Sequence, residues 1–159
     1  MTKKPLVYLE TSIVSYLTSR PSRDLVSAAR QEMTHEWWEQ RKQYDIFVSE
    51  LVVEEAQEGN AEAAARRVEL IDQLPLLETS REALSLAEGL LEKNAVPPQA
   101  PRDALHIGIA TAHDVDLLLT WNFRHIANAW KREAIRKSLE SSGYRAPVIA
   151  TPEDLLEEE

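Results

Sequence analysis

An α/β fold with a central parallel sheet, a three-layer α/β/α sandwich, is predicted by three observations. Short apolar runs alternate with helical periodicities along the whole chain, the pattern of strands joined by crossover helices. The runs at residues 6–9 (Leu-Val-Tyr-Leu) and 117–119 (Leu-Leu-Leu) lack polar alternation, so both faces of each strand must be covered, as in a parallel sheet sheltered by helices. The stretch 101–112 is apolar on nearly every side, which marks a buried helix. A single domain over residues 1–152 is expected, with an acidic tail over 153–159.

Residues 6–9 form the first strand, and Glu10-Thr11-Ser12 closes it. Thr11 or Ser12 can cap a helix in which Ile13, Tyr16 and Leu17 recur at helical spacing. After the turn RPSRD comes a long polar helix over about 25–42, whose Trp37 and Trp38 are expected in the core or against a partner. Ile46 to Val48 is a second strand, and Ser49 caps the helix that begins at Glu50. Glu50, Glu54 and Glu58 repeat every four residues on a solvated face. Glu55 instead lies beside Leu51 and Val52 and turns inward. Gly59-Asn60 ends this helix and caps the next, over 61–73. Residues 74–77 are a weak strand or connector, and Thr79 with Glu82 reads as a capping box. Pro97, Pro98 and Pro101 mark a loop before the buried helix, which Asp103 opens. A basic helix runs over about 128–141, Gly143 stops it, and residues 147–149 make a last strand.

The 159 residues match one domain with a continuous core. With no cysteine, disulfides, thiolate nucleophiles and cysteine-held zinc are excluded. Four scattered histidines and no H-E-x-x-H pattern argue against a histidine-based zinc site. No run approaches the length of a membrane span and the chain enters structure without a signal-like segment, so no membrane association and a cytoplasmic location are expected. A net charge of −9 argues against broad nonspecific affinity for nucleic acid. The local exception is Arg124, Lys131, Arg132, Arg136 and Lys137, opposed by Glu133 alone within 121–137. Intrahelical ion pairing is the plainer explanation of such a run.

Three carboxylates stand out by position. Glu10 follows the first strand, where ligands bind in open α/β sheets. Glu55 faces inward, and Asp103 starts the buried helix. Asn122 follows the strand at 117–119. Singly, each is explained as a cap or a surface group. Together, at successive element ends, they suit a hard divalent cation such as Mg2+, for which a phosphodiester is the natural substrate.

The pieces VYLETS, SELVVEEAQEG, DALHIGIATAHDVDLLLT and TWN, in that order over most of the chain, resemble the PIN-domain ribonucleases, particularly the VapC-like toxins of toxin-antitoxin pairs. The resemblance implies a PIN-like α/β/α sandwich and a Mg2+- or Mn2+-dependent endoribonuclease, a hydrolase that cleaves RNA with a metal-activated water. It also implies neutralisation by a cognate antitoxin protein and a homodimer. Carried over, the family's site falls on Glu10, Glu55, Asp103 and Asn122, with Glu10, Glu55 and Asp103 as metal ligands. Thr11, Ser12 and Thr120 are candidates to position water, and Arg124, Lys131 and Arg132 to guide RNA phosphates. Trp121 is a better candidate for packing than for stacking on a base, and His106 for a satisfied helix histidine than for a catalytic acid. The family usually has Asp where Glu10 and Asn122 stand, so weaker metal affinity is expected.

The alternative is a catalytically weak or inactive PIN module that binds RNA or protein. A phosphorelay receiver or doubly wound phosphatase fits less well. Thr11 rather than a second acid follows Glu10, Trp121 rather than a lysine follows Thr120, and four ungrouped glycines make no phosphate loop.

Overall fold

The computed structural model describes residues 3–156. The first crossover unit is β1 (Leu6–Leu9), α1 (Thr11–Thr18), α2 (Leu25–Glu39) and β2 (Asp45–Ser49). The chain continues through α3 (Glu50–Ala56), α4 (Ala61–Ile71) and β3 (Leu76–Leu77), then α5 (Arg81–Glu92), α6 (Pro101–Ala112) and β4 (Leu117–Leu119). It ends with α7 (Ala129–Ser141), β5 (Val148–Ala150) and α8 (Pro152–Leu155).

The five strands pair in parallel in the order β3-β2-β1-β4-β5. Tyr8 lies in register with Phe47 on one side and Leu118 on the other. From β1 the chain steps outward to β3, then returns across the sheet to β4. Right-handed crossovers therefore put the helices of the two halves on opposite faces. Accordingly α1 packs on α2, α3 and α4, while α5 packs on α6 and α7. The two layers of helix cover the apolar strands: Leu9, Leu118 and Leu119 are fully buried, each contributing roughly 1.5–3 kcal/mol of burial.

α6 is seated by a close approach. A Cβ on Gly108 would lie 2.4 Å from the Ala83 carbonyl oxygen of α5, so only glycine lets the two backbones meet.

Several local details differ from the sequence reading. α2 ends at Glu39 and a separate 3₁₀ turn covers Arg41–Gln43. Ser80, not Thr79, caps α5: its hydroxyl accepts from Ala83 N at 3.1 Å, and the Glu82 carboxylate takes the Tyr144 hydroxyl. Residues Phe123–Ala127 form one π-helical turn. The expected acidic tail begins inside α8, where Thr151 and Asp154 make a reciprocal capping box with Pro152 in the first turn. There Glu153 and Asp154 favour the positive end of a helix, and α8 packs on α2. Glu157 to Glu159 lie outside the described residues. Among the described residues no helix is long and apolar enough to cross a membrane.

Candidate metal centre

β1 is flanked by β2 and β4, whose connections leave to opposite faces of the sheet. A crevice opens at the carboxyl ends of such a pair, and Glu10 stands there. Its backbone N–H continues the ladder to Leu119 O at 3.0 Å. Its side chain turns back and caps α1, Oε2 accepting from Ser12 N at 3.1 Å. Oε1 accepts from Ser12 Oγ at 2.5 Å and Thr120 Oγ1 at 2.6 Å. Those hydroxyls are fixed in turn, Ser12 Oγ accepting from Trp121 N and Thr120 Oγ1 from Asn122 N, each at 2.9 Å. The Glu10 carboxylate is thus oriented although its residue is only 6% exposed.

Glu55 arrives from α3, on the inward face beside Leu51 and Val52. Its Oε1 accepts from Thr11 Oγ1 at 2.6 Å and lies 2.5 Å from His106 Nε2. Arg102 is directed mainly at Glu58, 2.7 Å away, and comes within 3.9 Å of Glu55 Oε2. Burial alone would raise the Glu55 carboxyl. The hydrogen bonds from His106 and Thr11, with the Arg102 charge, outweigh it and hold the group below the usual value.

His106, fully buried on α6, is supported from behind. Its Nδ1 lies 2.7 Å from the Tyr8 hydroxyl, which lies 2.8 Å from Ser49 Oγ. Ser49 Oγ accepts from Val52 N as the cap of α3. In one set of directions Ser49 donates to Tyr8, Tyr8 donates to Nδ1, and the Nε2–H donates to the Glu55 carboxylate. In the reverse set Nδ1–H donates to Tyr8 and Tyr8 to Ser49, which leaves the Nε2 lone pair free to meet a cation. Burial pushes the Tyr8 hydroxyl far above its ordinary pKa, so the phenol keeps the proton it donates.

Glu10, Glu55 and His106 each offer one ligand atom, and these atoms all lie within 4.8 Å of one another. Among the described residues this compact group has three members, and the third is an imidazole rather than Asp103. Asp103 sits one turn before His106 on α6, with Oδ2 2.7 Å from His125 Nδ1. Asn122 caps the π-helical turn, Oδ1 accepting from His125 N at 3.0 Å. Asp103 and Asn122 both engage His125, and Asp103 is not a member of the three-residue group. Spacing could have drawn His106 in, because it lies at i+3 from Asp103 on one helix face. Nothing in the sequence pointed to His125.

Thr11, Ser12 and Thr120 all donate hydroxyls to Glu10 or Glu55. The basic strip is partly engaged in structure. Arg132 donates to Ala127 O at 2.6 Å and pairs with Asp154, bracing α8, while Arg136 and Lys137 pair with acids of their own helix. Arg124 is exposed and Lys131 half-buried, and among the described residues neither forms an ion pair. Trp121 is buried with its indole N–H on Thr34 Oγ1 at 2.8 Å.

No family model and no curated protein matches the chain. Among solved structures, it is similar to a chain of the crystal structure of VapBC2 from Rickettsia felis bound to a DNA fragment from their promoter. That likeness has 17% identity and a TM-score of 0.60, over 92% of this chain and 98% of that one. At such identity the likeness speaks for architecture, and with the parallel 3-2-1-4-5 sheet it shows that this chain has the PIN-like α/β fold of that VapBC2 structure.

Proposed function

We propose that the protein is a divalent-metal-dependent endoribonuclease of the VapC-like kind, the toxin half of a toxin-antitoxin pair. The observation that carries this reading is the convergence of Glu10, Glu55 and His106 at the switch point of a PIN-like sheet. The donor set fits a cation: two carboxylates and one imidazole at ligand spacing, with a single guanidinium 3.9 Å from one of them. An imidazole ligand favours Mn2+ or a similar borderline ion over Mg2+, which prefers oxygen and water. A divalent ion bound there would neutralise a phosphodiester and acidify a water.

The chain's own residues orient the site. Ser12 and Thr120 hold Glu10 and Thr11 holds Glu55, so neither carboxylate has to reorganise to meet a charge. Tyr8 and Ser49 fix the His106 ring. Asp103 and Asn122, ordered by His125, are the groups proposed to steady a water or a phosphate oxygen beside the group. Arg124 and Lys131 are proposed to attract the RNA backbone. An antitoxin protein as partner follows from the VapBC2 likeness, and a homodimer from the family resemblance.

A second reading, a weak or inactive PIN module, is favoured by the amide of Asn122, whose oxygen is engaged by His125 N. An RNA cleavage assay with Mn2+ separates the two. Cleavage that EDTA abolishes and that Glu10→Gln and Asp103→Asn both lower is expected, together with slowed growth on expression without antitoxin. Background cleavage equal in all three proteins, with harmless overexpression, would leave the binding module.

A further inference from the structure

Two aromatic residues follow β4 and meet different fates. Trp121 is buried, whereas Phe123 keeps 37% of its surface exposed. The two rings pack at 6.1 Å between centroids, tilted by 52°. From α2 the Arg30 guanidinium reaches over both, 5.1 Å from the Phe123 centroid and 5.5 Å from that of Trp121.

In a chain with a net charge of −9, half of the arginines meet a carboxylate among the described residues, as Arg102, Arg136 and Arg145 do. Among the described residues Arg30 forms no ion pair, and its charge acts weakly on the Asp24 cap of its own helix. Arg124, adjacent to Phe123 and exposed, also forms none. An exposed ring therefore lies against one guanidinium without an ion pair, Arg30, and next in sequence to another, Arg124, three residues after Thr120, whose hydroxyl holds Glu10. A π-face next to fixed positive charge suits a base with its phosphate. A duplex hides its base faces, so the strand must be single.

We propose that Phe123, Arg30 and Arg124 form a nucleotide subsite for single-stranded RNA, with a base on the exposed Phe123 ring and the adjacent phosphates on the two guanidinium groups. The subsite rests on the proposed reading that RNA is the substrate. It assigns the stacking to Phe123, because the ring of Trp121 is enclosed.

Fluorescence anisotropy with a short labelled single-stranded RNA, at low salt in EDTA so that no cleavage intervenes, tests it. Phe123→Ala and the better-packing Phe123→Leu are expected to raise Kd about 10-fold, and Phe123→Trp to keep it low. Arg30→Ala should weaken binding and flatten its salt dependence by about one counterion. Thermal melting and Mn2+ titration of each variant should match wild type. An unchanged Kd in Phe123→Leu, or no RNA binding by wild type, overturns the subsite. Where Glu10→Gln still abolishes cleavage, the nuclease reading survives that result. Phe123-dependent RNA binding by a protein that takes up no Mn2+ supports the subsite and removes the nuclease. Loss of a protein partner in Phe123→Leu with RNA binding intact overturns it in favour of a protein-docking face.

Discussion

The two ends of the sheet carry the same kind of side chain and treat it in opposite ways. At the amino ends of the strands Asp114 and Asp116 share Arg145, at 3.0 and 3.1 Å, and Asp116 also accepts the Leu6 N–H at 2.8 Å. Both acids are accessible, and a guanidinium balances their charge. At the carboxyl ends Glu10 and Glu55 are more enclosed, yet they receive hydroxyls, an amide and an imidazole, with one guanidinium at the limit of contact. Fold stability alone would be better served by the first arrangement, since buried charge without a counter-charge is costly. Negative charge gathered and left unbalanced at a crevice is the arrangement a cation would complete.

Substitutions at the two ends should therefore separate function from stability. The largest effect is expected from Glu10→Gln, with Mn2+ affinity and RNA cleavage lowered more than 100-fold in calorimetry and a cleavage assay, while Asp116→Asn leaves both unchanged. Equal losses from the two would erase the contrast. Next is Gly108→Ala, which drives a methyl against the Ala83 carbonyl. It should destabilise the fold by about 1–3 kcal/mol in urea unfolding and displace His106 with α6. Thr120→Val removes one donor to Glu10 while keeping the side chain's shape, and Mn2+ affinity should fall about 10-fold, with a lower melting temperature because the Asn122 N–H also loses its acceptor.

The smallest effect is in acid. The Asp116 carboxyl is held below its usual value chiefly by the Leu6 N–H, aided by Arg145. Glu55 is held down by His106, Thr11 and Arg102 against the opposing pull of burial. Protonation is therefore harder in the folded state. The stability these groups lend is complete above the ordinary carboxylate pKa of about 4 and is lost as pH falls through the lower folded-state values. Melting temperature should drop in that window, and Asp116→Asn should flatten part of the drop.

Much of the architecture was legible because burial leaves a plain mark. The unbroken apolar runs at 6–9 and 117–119 could only be covered strands, and Ser49 and Asn60 are caps by residue type and place. Glu55 was separable from Glu54 by helical spacing, and it is the one whose carboxylate meets Thr11 and His106. What stayed hidden depends on contacts remote in sequence. His106 joins Glu55 across 51 positions and Tyr8 across 98, and no local pattern encodes such a meeting. His125 sits in a π-helical turn, a conformation without a sequence signature, so its hold on Asp103 was equally invisible. The α8 capping box is masked because Glu153 and Asp154 look like charge in a tail, although T-P-E-D is also a helix start.

Calorimetric titration of Mn2+ into wild-type protein and Glu10→Gln tests the central claim most directly. Saturable binding by the wild type, lost in the variant while both melt at similar temperatures, is the expected result. No binding by the wild type, or equal binding by both, would mean that the acids at the carboxyl ends of β1 and α3 are held for packing and do not form a cation site.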